Sequence, residues 1–278
     1  MEIKLAAFDM DGTLLTDKKE LPPDFAAWVQ QHREIKTVIA SGRQYYTLRD
    51  NLEPLGDDLI FIAENGGLVF EGGALLYSNP MKDEDVLLCI EKIEKIPGLT
   101  VIPCGADGAY IKKEASEKAV AEALTYYHHL QPCDDMAGEA LKDTLVKIAI
   151  FVEDKRAEDA MKYFKDLPDH LAVVLSGDSW IDISNADVNK GTGVRAIQEK
   201  YQVTKTQSMA FGDYLNDVGL LASCEESYCM ENGHPDLKAL AKHIAPSNNA
   251  YGVMQVLRRE IDGKERNCCS HRGAATCC

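Results

Sequence analysis

The chain has 278 residues, of which 45% are hydrophobic and 27% charged, and its formal net charge is −15. This length suits one large α/β domain with a smaller inserted domain, and the apolar content is ample for a buried core. A polyanionic surface repels nucleic acid and anionic lipid, so DNA, RNA and membranes are excluded as expected partners. The sequence shows no signal-peptide pattern and no long apolar stretch, and we expect a cytoplasmic protein.

The first 82 residues alternate between predicted strands and predicted helices. Residues 3–8, 37–40 and 59–62 are short, nearly continuous apolar runs, which indicate buried strands with helices between them. This alternation is typical of parallel βαβ units, and it predicts an α/β fold with a doubly wound, Rossmann-like sheet. Residues 69–76 predict a hairpin on the edge of that sheet.

The pattern changes near Pro80. From 83 to 186, amphipathic helices are mixed with hairpin-like strands, which predicts an α+β unit separate from the first sheet. The alternation of strand and helix resumes after Asn189. The sequence therefore predicts a discontinuous core domain, 1–82 and 187–262, with an α+β cap domain, 83–186, inserted into it.

Nine cysteines are present, in two groups. Five lie in predicted core segments, where reduced thiols behave as small hydrophobic groups: Cys89, Cys104, Cys133, Cys224 and Cys229. Four lie in the polar, aperiodic tail, 263–278, which we expect to be disordered: Cys268, Cys269, Cys277 and Cys278. A soft-metal site that includes His271 and a prenylation signal are weaker alternatives, because adjacent cysteines are poor tetrahedral ligands and no basic patch precedes them.

Four polar motifs follow predicted strands of the core domain, at the carboxyl ends where open α/β sheets bind their ligands. The first motif is Asp9-Met10-Asp11-Gly12-Thr13. Its two carboxylates emerge on one side of an extended chain, so one can attack phosphorus while the other donates and later removes a proton. A strand-end turn is the ordinary alternative. A calcium loop ending at Glu20 is disfavoured, because Leu14 stands where such a loop requires glycine.

The second and third motifs each precede a predicted helix. In Ser41-Gly42-Arg43, a hydroxyl and outward-pointing amides can hold phosphate oxygens, although a plain helix cap explains Ser41 equally well and a structural role suits Arg43 better. In Asn189-Lys190-Gly191, the lysine can place a positive charge on a phosphoryl group. Taken alone, Lys190 fits a solvated surface lysine better.

The fourth motif is Gly212-Asp213-Tyr214-Leu215-Asn216-Asp217, whose carboxylates and amide suit a hard cation with oxygen ligands, with a turn as the alternative. The motifs together would gather four carboxylates at one sheet edge: Asp9, Asp11, Asp213 and Asp217. Each close pair repels by about 4 kcal/mol at an effective dielectric constant of roughly 20. A magnesium ion would relieve this repulsion and, with Lys190, would supply the positive patch that a phosphate needs.

The order of these motifs resembles the haloacid dehalogenase superfamily and, more narrowly, its Cof-like sugar-phosphatase branch. Residues 64–67 and 232–238 are also similar to segments typical of that branch, whereas 230–233 departs from its usual sequence close to the cap interface. The resemblance extends to about Ile261. It implies a Mg²⁺-dependent phosphatase that hydrolyses sugar phosphates or phosphorylated cofactors through an aspartyl-phosphate, with the cap closing over the site.

The resemblance also implies a role for each motif residue. Asp9 is the nucleophile and a Mg²⁺ ligand, while Asp11 is the acid/base and binds the metal through its backbone carbonyl. Asp213 completes the protein ligands, and Asp217 acts through water or Lys190. The substrate-binding residues are Met10 (through its amide), Thr13, Ser41, Gly42, Arg43, Lys190 and Asn216. Asp11 further separates the chain from dehalogenases and ion-pumping ATPases of the superfamily, which lack this second aspartate.

Two other functions stay open at this point. A phosphomutase would use the same chemistry but return the phosphoryl group to its substrate. A phospho-aspartate signalling receiver, from a different class, would be phosphorylated on Asp9 by a kinase, but receivers are compact single domains without an insert of about 100 residues. The expected partner is a small-molecule phosphate ester, and the protein is expected to be a monomer or a homodimer.

Overall fold

The computed structural model describes residues 2–53 and 55–263. They form two compact units, the first built from residues up to Ala40 and from Val194 onward, the second from Ser41–Gly193. The predicted cap limits, 83 and 186, are not limits of either unit and stay a prediction. All but the first residue of the predicted disordered tail, including its four cysteines, lies outside the described residues.

The part of the chain that the structure describes contains fourteen strands and ten α-helices. The strands are β1 (Leu5–Asp9), β2 (Lys36–Ala40), β3 (Ile60–Ala63), β4 (Leu68–Glu71), β5 (Ala74–Ser78), β6 (Leu99–Gly105), β7 (Ala109–Lys112), β8 (Leu130–Cys133), β9 (Leu145–Val152), β10 (Leu171–Gly177), β11 (Trp180–Asn185), β12 (Ser208–Gly212), β13 (Glu226–Met230) and β14 (His243–Ala245). The helices are α1 (Phe25–Gln31), α2 (Tyr45–Asn51), α3 (Asp83–Glu94), α4 (Glu117–Tyr126), α5 (Met136–Ala140), α6 (Ala157–Ala160), α7 (Lys190–Tyr201), α8 (Val218–Ala222), α9 (Pro235–Leu240) and α10 (Gly252–Leu257).

The first unit is built on a parallel sheet with the strand order β14-β13-β12-β1-β2. The central strand β1 is buried along its whole length. Phe8 stacks on Phe211 of β12 at 5.3 Å between ring centroids and meets Phe25 of α1 edge-on. Because β1 and β12 run in parallel with Phe8 opposite Phe211, their carboxyl ends lie side by side. The predicted α/β fold with a parallel core sheet is confirmed.

The second unit contains the antiparallel strands β3-β4-β5 and a six-stranded sheet with the order β10-β11-β9-β6-β7-β8. The predicted edge hairpin is β4–β5, turning through Gly72 and Gly73, both at positive φ. In the larger sheet, all eight residues of β9 are buried. Ile148 and Ile150 join the apolar cluster that contains α3 and α5 residues, and the alternate residues Ala149 and Phe151 join a second cluster on the other face.

Some predicted elements differ from the structure in extent. The helix predicted over 156–167 is only α6 followed by a 3₁₀ turn, Met161–Phe164. The residue before Pro168 is disfavoured in the α conformation, which limits the length of this segment. The helix predicted to close the fold begins at Gly252, and its last turn, Arg258–Asp262, is π-helical. The sequence did not predict β8, β14, α5, α8 and α9, which are too short to show a period.

The five cysteines that the structure describes are free and buried, as expected. Burial raises the pKa of the Cys89 and Cys224 thiols to about 12. Over 2–53 and 55–263, no helix combines the length and the apolar character that a membrane span requires.

Candidate active site

Three carboxylates of the first unit converge at the carboxyl ends of β1 and β12. Asp9, Asp213 and Asp217 each place one oxygen within 4.8 Å of the other two. Asp9 and Asp217 are buried, with 6% and 0% exposure. The parallel pairing of β1 with β12 causes this convergence, because Asp9 ends one strand and Asp213 follows the other. Three clustered carboxylate oxygens are the donor set that Mg²⁺ prefers, so the residues present fit the expected ion.

Gly12 permits the close approach of Asp213. Its φ of 81° lies in the left-handed region, and a Cβ atom on Gly12 would come within 2.8 Å of Asp213 Cγ. Thr13, predicted to bind phosphate, is buried, and its hydroxyl donates to Asp213 Oδ1 at 3.3 Å. Asn232 donates through Nδ2 to the carbonyl of Gly12 at 2.7 Å. The Asp9-Thr13 turn is therefore held by two residues that are distant in sequence.

Asp217 organises the loop that carries Asp213. Its Oδ2 accepts hydrogen bonds from the backbone N–H groups of Asp213 at 2.9 Å and Tyr214 at 3.1 Å. Gly212 leaves room for this arrangement, since a Cβ there would lie 2.7 Å from Asp217 Cγ. Asn216, predicted to bind phosphate, is exposed in the short 3₁₀ turn of the same loop.

The Asp11 carboxylate is not one of the three clustered groups among the described residues. Its Oδ1 lies 2.7 Å from Nζ of Lys19, a residue that the sequence motifs did not identify. The two side chains are 38% and 61% exposed, and an ion pair at such a site contributes little to stability. The side chain of Asp11 is thus outside the carboxylate cluster. Its neighbour Met10 is fully buried, and the backbone carbonyl of Met10 accepts a hydrogen bond from the N–H of Leu15 at 2.8 Å.

The remaining predicted residues belong to the second unit. Ser41 is buried, and its hydroxyl accepts the N–H of Arg43 at 3.3 Å. Lys190, at the start of α7, is only 1% exposed, so it is not the solvated surface lysine that its isolated motif favoured. Gly42 lies against Asn65, where a Cβ on Gly42 would be 2.9 Å from Nδ2.

A turn at residues 64–66 brings the two segments of this unit together. Gly66, at φ 106°, packs on the backbone where Asn189 meets Lys190, and a Cβ on Gly66 would come within 3.0 Å of Lys190 N. The N–H of Asn65 donates to the carbonyl of Ser41 at 3.0 Å. The segments 41–43 and 189–190, predicted separately from sequence, therefore contact the same turn.

A parallel α/β sheet with a carboxylate cluster at the carboxyl end of its central strand is typical of a doubly wound α/β protein, which binds its ligands at that edge. A family profile described as haloacid dehalogenase-like hydrolase matches residues 6–257, and the chain belongs to this family. The resemblance of the motifs to that superfamily and its Cof-like branch is confirmed.

Proteins similar to this chain include phosphatases whose names state a substrate. The chain is 32% identical over 265 residues to the 5-amino-6-(5-phospho-D-ribitylamino)uracil phosphatase YbjI of Escherichia coli, which covers 94% of this chain and 97% of that protein. It is 26% identical over 245 residues to the HMP-PP phosphatase of Klebsiella pneumoniae, which covers 87% and 89%. A crystal structure from Streptococcus mutans superposes with a TM-score of 0.78 at 28% identity, covering 94% of this chain and all of that one. The chain is a phosphatase of the haloacid dehalogenase-like family.

Proposed function

We propose that this phosphatase is Mg²⁺-dependent and works through a covalent aspartyl-phosphate on Asp9. The observation that carries the proposal is the convergence of Asp9, Asp213 and Asp217 at the end of the central strand. Carboxylates this close repel one another strongly unless a cation lies among them. Asp9, Asp213 and Asp217 would hold the ion, with the backbone carbonyl of Asp11 added by the family resemblance. When bound, Mg²⁺ neutralises charge on the phosphoryl oxygens.

Asp9 and Asp11 divide the chemical steps between them. An Asp9 oxygen forms a bond to phosphorus while the bond from phosphorus to the leaving oxygen breaks, and Asp11 gives that oxygen a proton. Asp11 then removes a proton from water, which attacks the aspartyl-phosphate. The bond between phosphorus and Asp9 breaks, orthophosphate leaves, and the Asp9 carboxylate is restored.

Acid/base help from Asp11 supplies about 10²–10⁴ of the rate enhancement. Uncatalysed hydrolysis of phosphate monoesters is slower than the enzymatic reaction by up to ~10²¹, so positioning and charge stabilisation must supply most of the remainder.

The proposed phosphate ligands are the Met10 amide, Ser41, Gly42, Lys190 and Asn216, with Thr13 and Arg43 as further substrate-binding residues. Support for Lys190 comes from its burial at the start of α7, where its backbone packs against Gly66. Support for Ser41 and Gly42 comes from their contact with the turn that also touches Lys190. The structure places the Thr13 hydroxyl on Asp213, so its effect on phosphate is proposed to be indirect.

The proposed substrates are small phosphorylated metabolites, either sugar phosphates or phosphorylated cofactors and their precursors. The names of the relatives support this class, since one acts on a phosphorylated ribitylaminouracil and another on HMP-PP. The proposed cap, 83–186, selects among leaving groups. A phosphomutase is the competing function, because it would share the aspartyl-phosphate.

The test is phosphate release from a panel of sugar phosphates, nucleotides, phosphorylated cofactors and p-nitrophenyl phosphate, with and without Mg²⁺. We expect Mg²⁺-dependent release that is abolished in Asp9→Asn and lowered by about 10²–10⁴ in Asp11→Asn. Asp17→Asn is the matched control, because Asp17 is hydrogen-bonded to Asn248 and Asn249 and has no proposed chemical role. Turnover of Asp9→Asn near the wild-type rate would contradict the covalent mechanism. Conversion of one sugar phosphate to another without phosphate release would establish the mutase.

A further inference from the structure

The turn at residues 64–66 has an unusual backbone. Glu64, Asn65 and Gly66 have φ values of 49°, 53° and 106°, so three consecutive residues are left-handed. Glycine adopts this conformation freely and asparagine tolerates it, but for glutamate it is strained. Residues in such conformations persist only where the surrounding structure fixes them, and they concentrate at functional sites.

The strained turn contacts both segments of the second unit that are proposed to bind phosphate. The N–H of Glu64 donates to the carbonyl of Arg43 at 3.1 Å, and the N–H of Asn65 donates to that of Ser41 at 3.0 Å. Gly66 packs against the backbone of Asn189 and Lys190. A shift of this turn would therefore move the backbone of both segments.

A buried ion pair fixes the turn from the six-stranded sheet. Oε2 of Glu64 lies 2.5 Å from Nζ of Lys147, and the two side chains are 0% and 5% exposed. Asp182 lies 3.8 Å from the same ammonium, and the ring of Tyr127 lies 5.3 Å from it. Burial alone would lower the pKa of Lys147, but the carboxylates of Asp182 and Glu64 outweigh it and raise that pKa, so the ammonium stays charged.

Stability alone does not explain the buried ion pair of Glu64 and Lys147. Lys147 is the one charged residue in β9, whose other seven residues are apolar. Burying two charges costs more than burying apolar residues of similar size, which often stabilise a protein equally well or better. This ion pair lies at a strained turn that contacts the segments proposed to bind phosphate. Its presence is better explained by the backbone geometry that it imposes on that turn.

We propose that Glu64 and Lys147 are positioning residues, which hold the turn so that Ser41, Gly42 and Lys190 are arranged to bind a phosphoryl group. This inference rests on the proposed function, since it takes those three residues as the phosphate ligands. Neither Glu64 nor Lys147 contacts substrate in this scheme. The pair acts through the backbone of residues 64–66.

The test is direct binding of orthophosphate by calorimetry, together with KM and kcat for p-nitrophenyl phosphate. In Glu64→Ala, we expect the Kd of orthophosphate and the KM to rise by at least about tenfold, a factor typical of a lost positioning contact, with a smaller fall in kcat. Mg²⁺ titrated without phosphate should bind as in the wild type, because its proposed ligands lie in the other unit. Glu64→Gln should restore part of the affinity, since an amide oxygen still accepts from Lys147.

Two further variants separate positioning from stability. The double variant Glu64→Ala/Lys147→Met removes both charges, so it should fold even if one single variant does not, yet still bind orthophosphate weakly. Asp85→Asn is the matched control, because Asp85 is an equally buried carboxylate of the same unit, 2.7 Å from His170. It should lower stability and leave orthophosphate affinity unchanged.

Orthophosphate affinity equal to the wild type in Glu64→Ala and in the double variant would overturn the inference. Equal weakening in Asp85→Asn would also overturn it, because any loss of stability would then have the same effect. A wild-type protein that hydrolyses esters while Glu64→Ala binds orthophosphate normally contradicts only the positioning role. A wild-type protein that neither hydrolyses esters nor binds orthophosphate contradicts the proposed function and this inference together.

Discussion

Gly12 shows how one residue without a side chain sets the position of a carboxylate. Its backbone is left-handed, and the space that a Cβ would occupy is filled by the carboxylate of Asp213. The same carboxylate is held by the hydroxyl of Thr13. The geometry of the proposed metal site therefore depends on residues that supply no ligand of their own, and it should be sensitive to a single methyl group.

We predict that Gly12→Ala lowers kcat/KM by at least about tenfold and raises the Mg²⁺ concentration needed for half-maximal activity. The added methyl group would displace the Asp213 carboxylate, and a small displacement of a catalytic group lowers the rate strongly. Gly73→Ala is the matched control, since Gly73 has nearly the same φ, 82°, but nothing within 4 Å of its Cβ position. Both variants should lose stability through backbone strain, by about 1 kcal/mol. Steady-state kinetics with a Mg²⁺ titration checks this, and equal activity in the two variants would contradict it.

The positions of several site residues could be predicted from the sequence, because each motif follows a strand and parallel strands end at one edge. That reasoning placed Asp9, Asp213 and Asp217 together correctly. The partner of Asp11 could not be predicted, since Lys19 lies in an irregular loop without a motif. The pairing of Glu64 with Lys147 was equally invisible, because it joins a turn to a strand more than 80 residues away.

At the scale of elements, one side chain joins the start of α2 to the segment that precedes β8 through two hydrogen bonds. Gln44, the residue before the helix, is 1% exposed. Its Nε2 donates to the carbonyl of His129 at 3.1 Å, and its Oε1 accepts the N–H of His129 at 2.9 Å. A single amide thus bonds to both backbone groups of a residue from a distant part of the second unit, and the carbonyl of that residue also accepts the N–H of Ala109 at 3.0 Å.

We predict that Gln44→Ala lowers the free energy of unfolding by about 1–2 kcal/mol, because the N–H of His129 loses its bond to Gln44 while the carbonyl keeps the bond from Ala109. Gln255→Ala is a suitable comparison, because the exposed Gln255 makes one hydrogen bond to the carbonyl of Ala250 within its own region. That variant should change the free energy by no more than about 0.5 kcal/mol. Urea denaturation measures both, and a Gln44→Ala effect as small as that of Gln255→Ala would show that the hydrogen bonds to His129 contribute little.

Element type was predictable where the apolar pattern is long or strictly alternating. The strands β1, β2, β9 and β12 were predicted within about two residues of their observed ends, which is the usual uncertainty of strand limits. Helices of four to six residues bury too few side chains to show a helical period, and packing rather than sequence decides their extent.

For the whole molecule, the described cysteines are distributed over both units. Cys89, Cys104 and Cys133 lie in the second, and Cys224 and Cys229 lie in the first. A thiol with a pKa of about 12 is ionised in only about one molecule in ten thousand at pH 8, and the thiolate is the reactive form. In the native protein, the thiols of Cys89 and Cys224, one in each unit, should therefore resist alkylation.

We predict that iodoacetamide at pH 8 leaves Cys89 and Cys224 unmodified in the native protein and modifies both after unfolding in guanidinium chloride. Mass spectrometry of the corresponding peptides measures each thiol separately, so the two units are reported independently. Rapid modification of either cysteine in the native protein would show that its thiol is not buried. The peptide of Cys104, which is fully buried, serves as an internal comparison.

The position of β1 in its sheet has a consequence for how the protein is made. Leu5 pairs with Lys36 on one side and with Ser208 on the other, so one neighbour of β1 leaves the ribosome about 200 residues after it. At about 5–20 residues per second, that interval is roughly 10–40 s. The second unit, continuous in sequence, is synthesised entirely within it. During translation the apolar strand β1 thus lacks one of its two neighbours for this interval. The parallel sheet can be completed only after most of the polypeptide has left the ribosome.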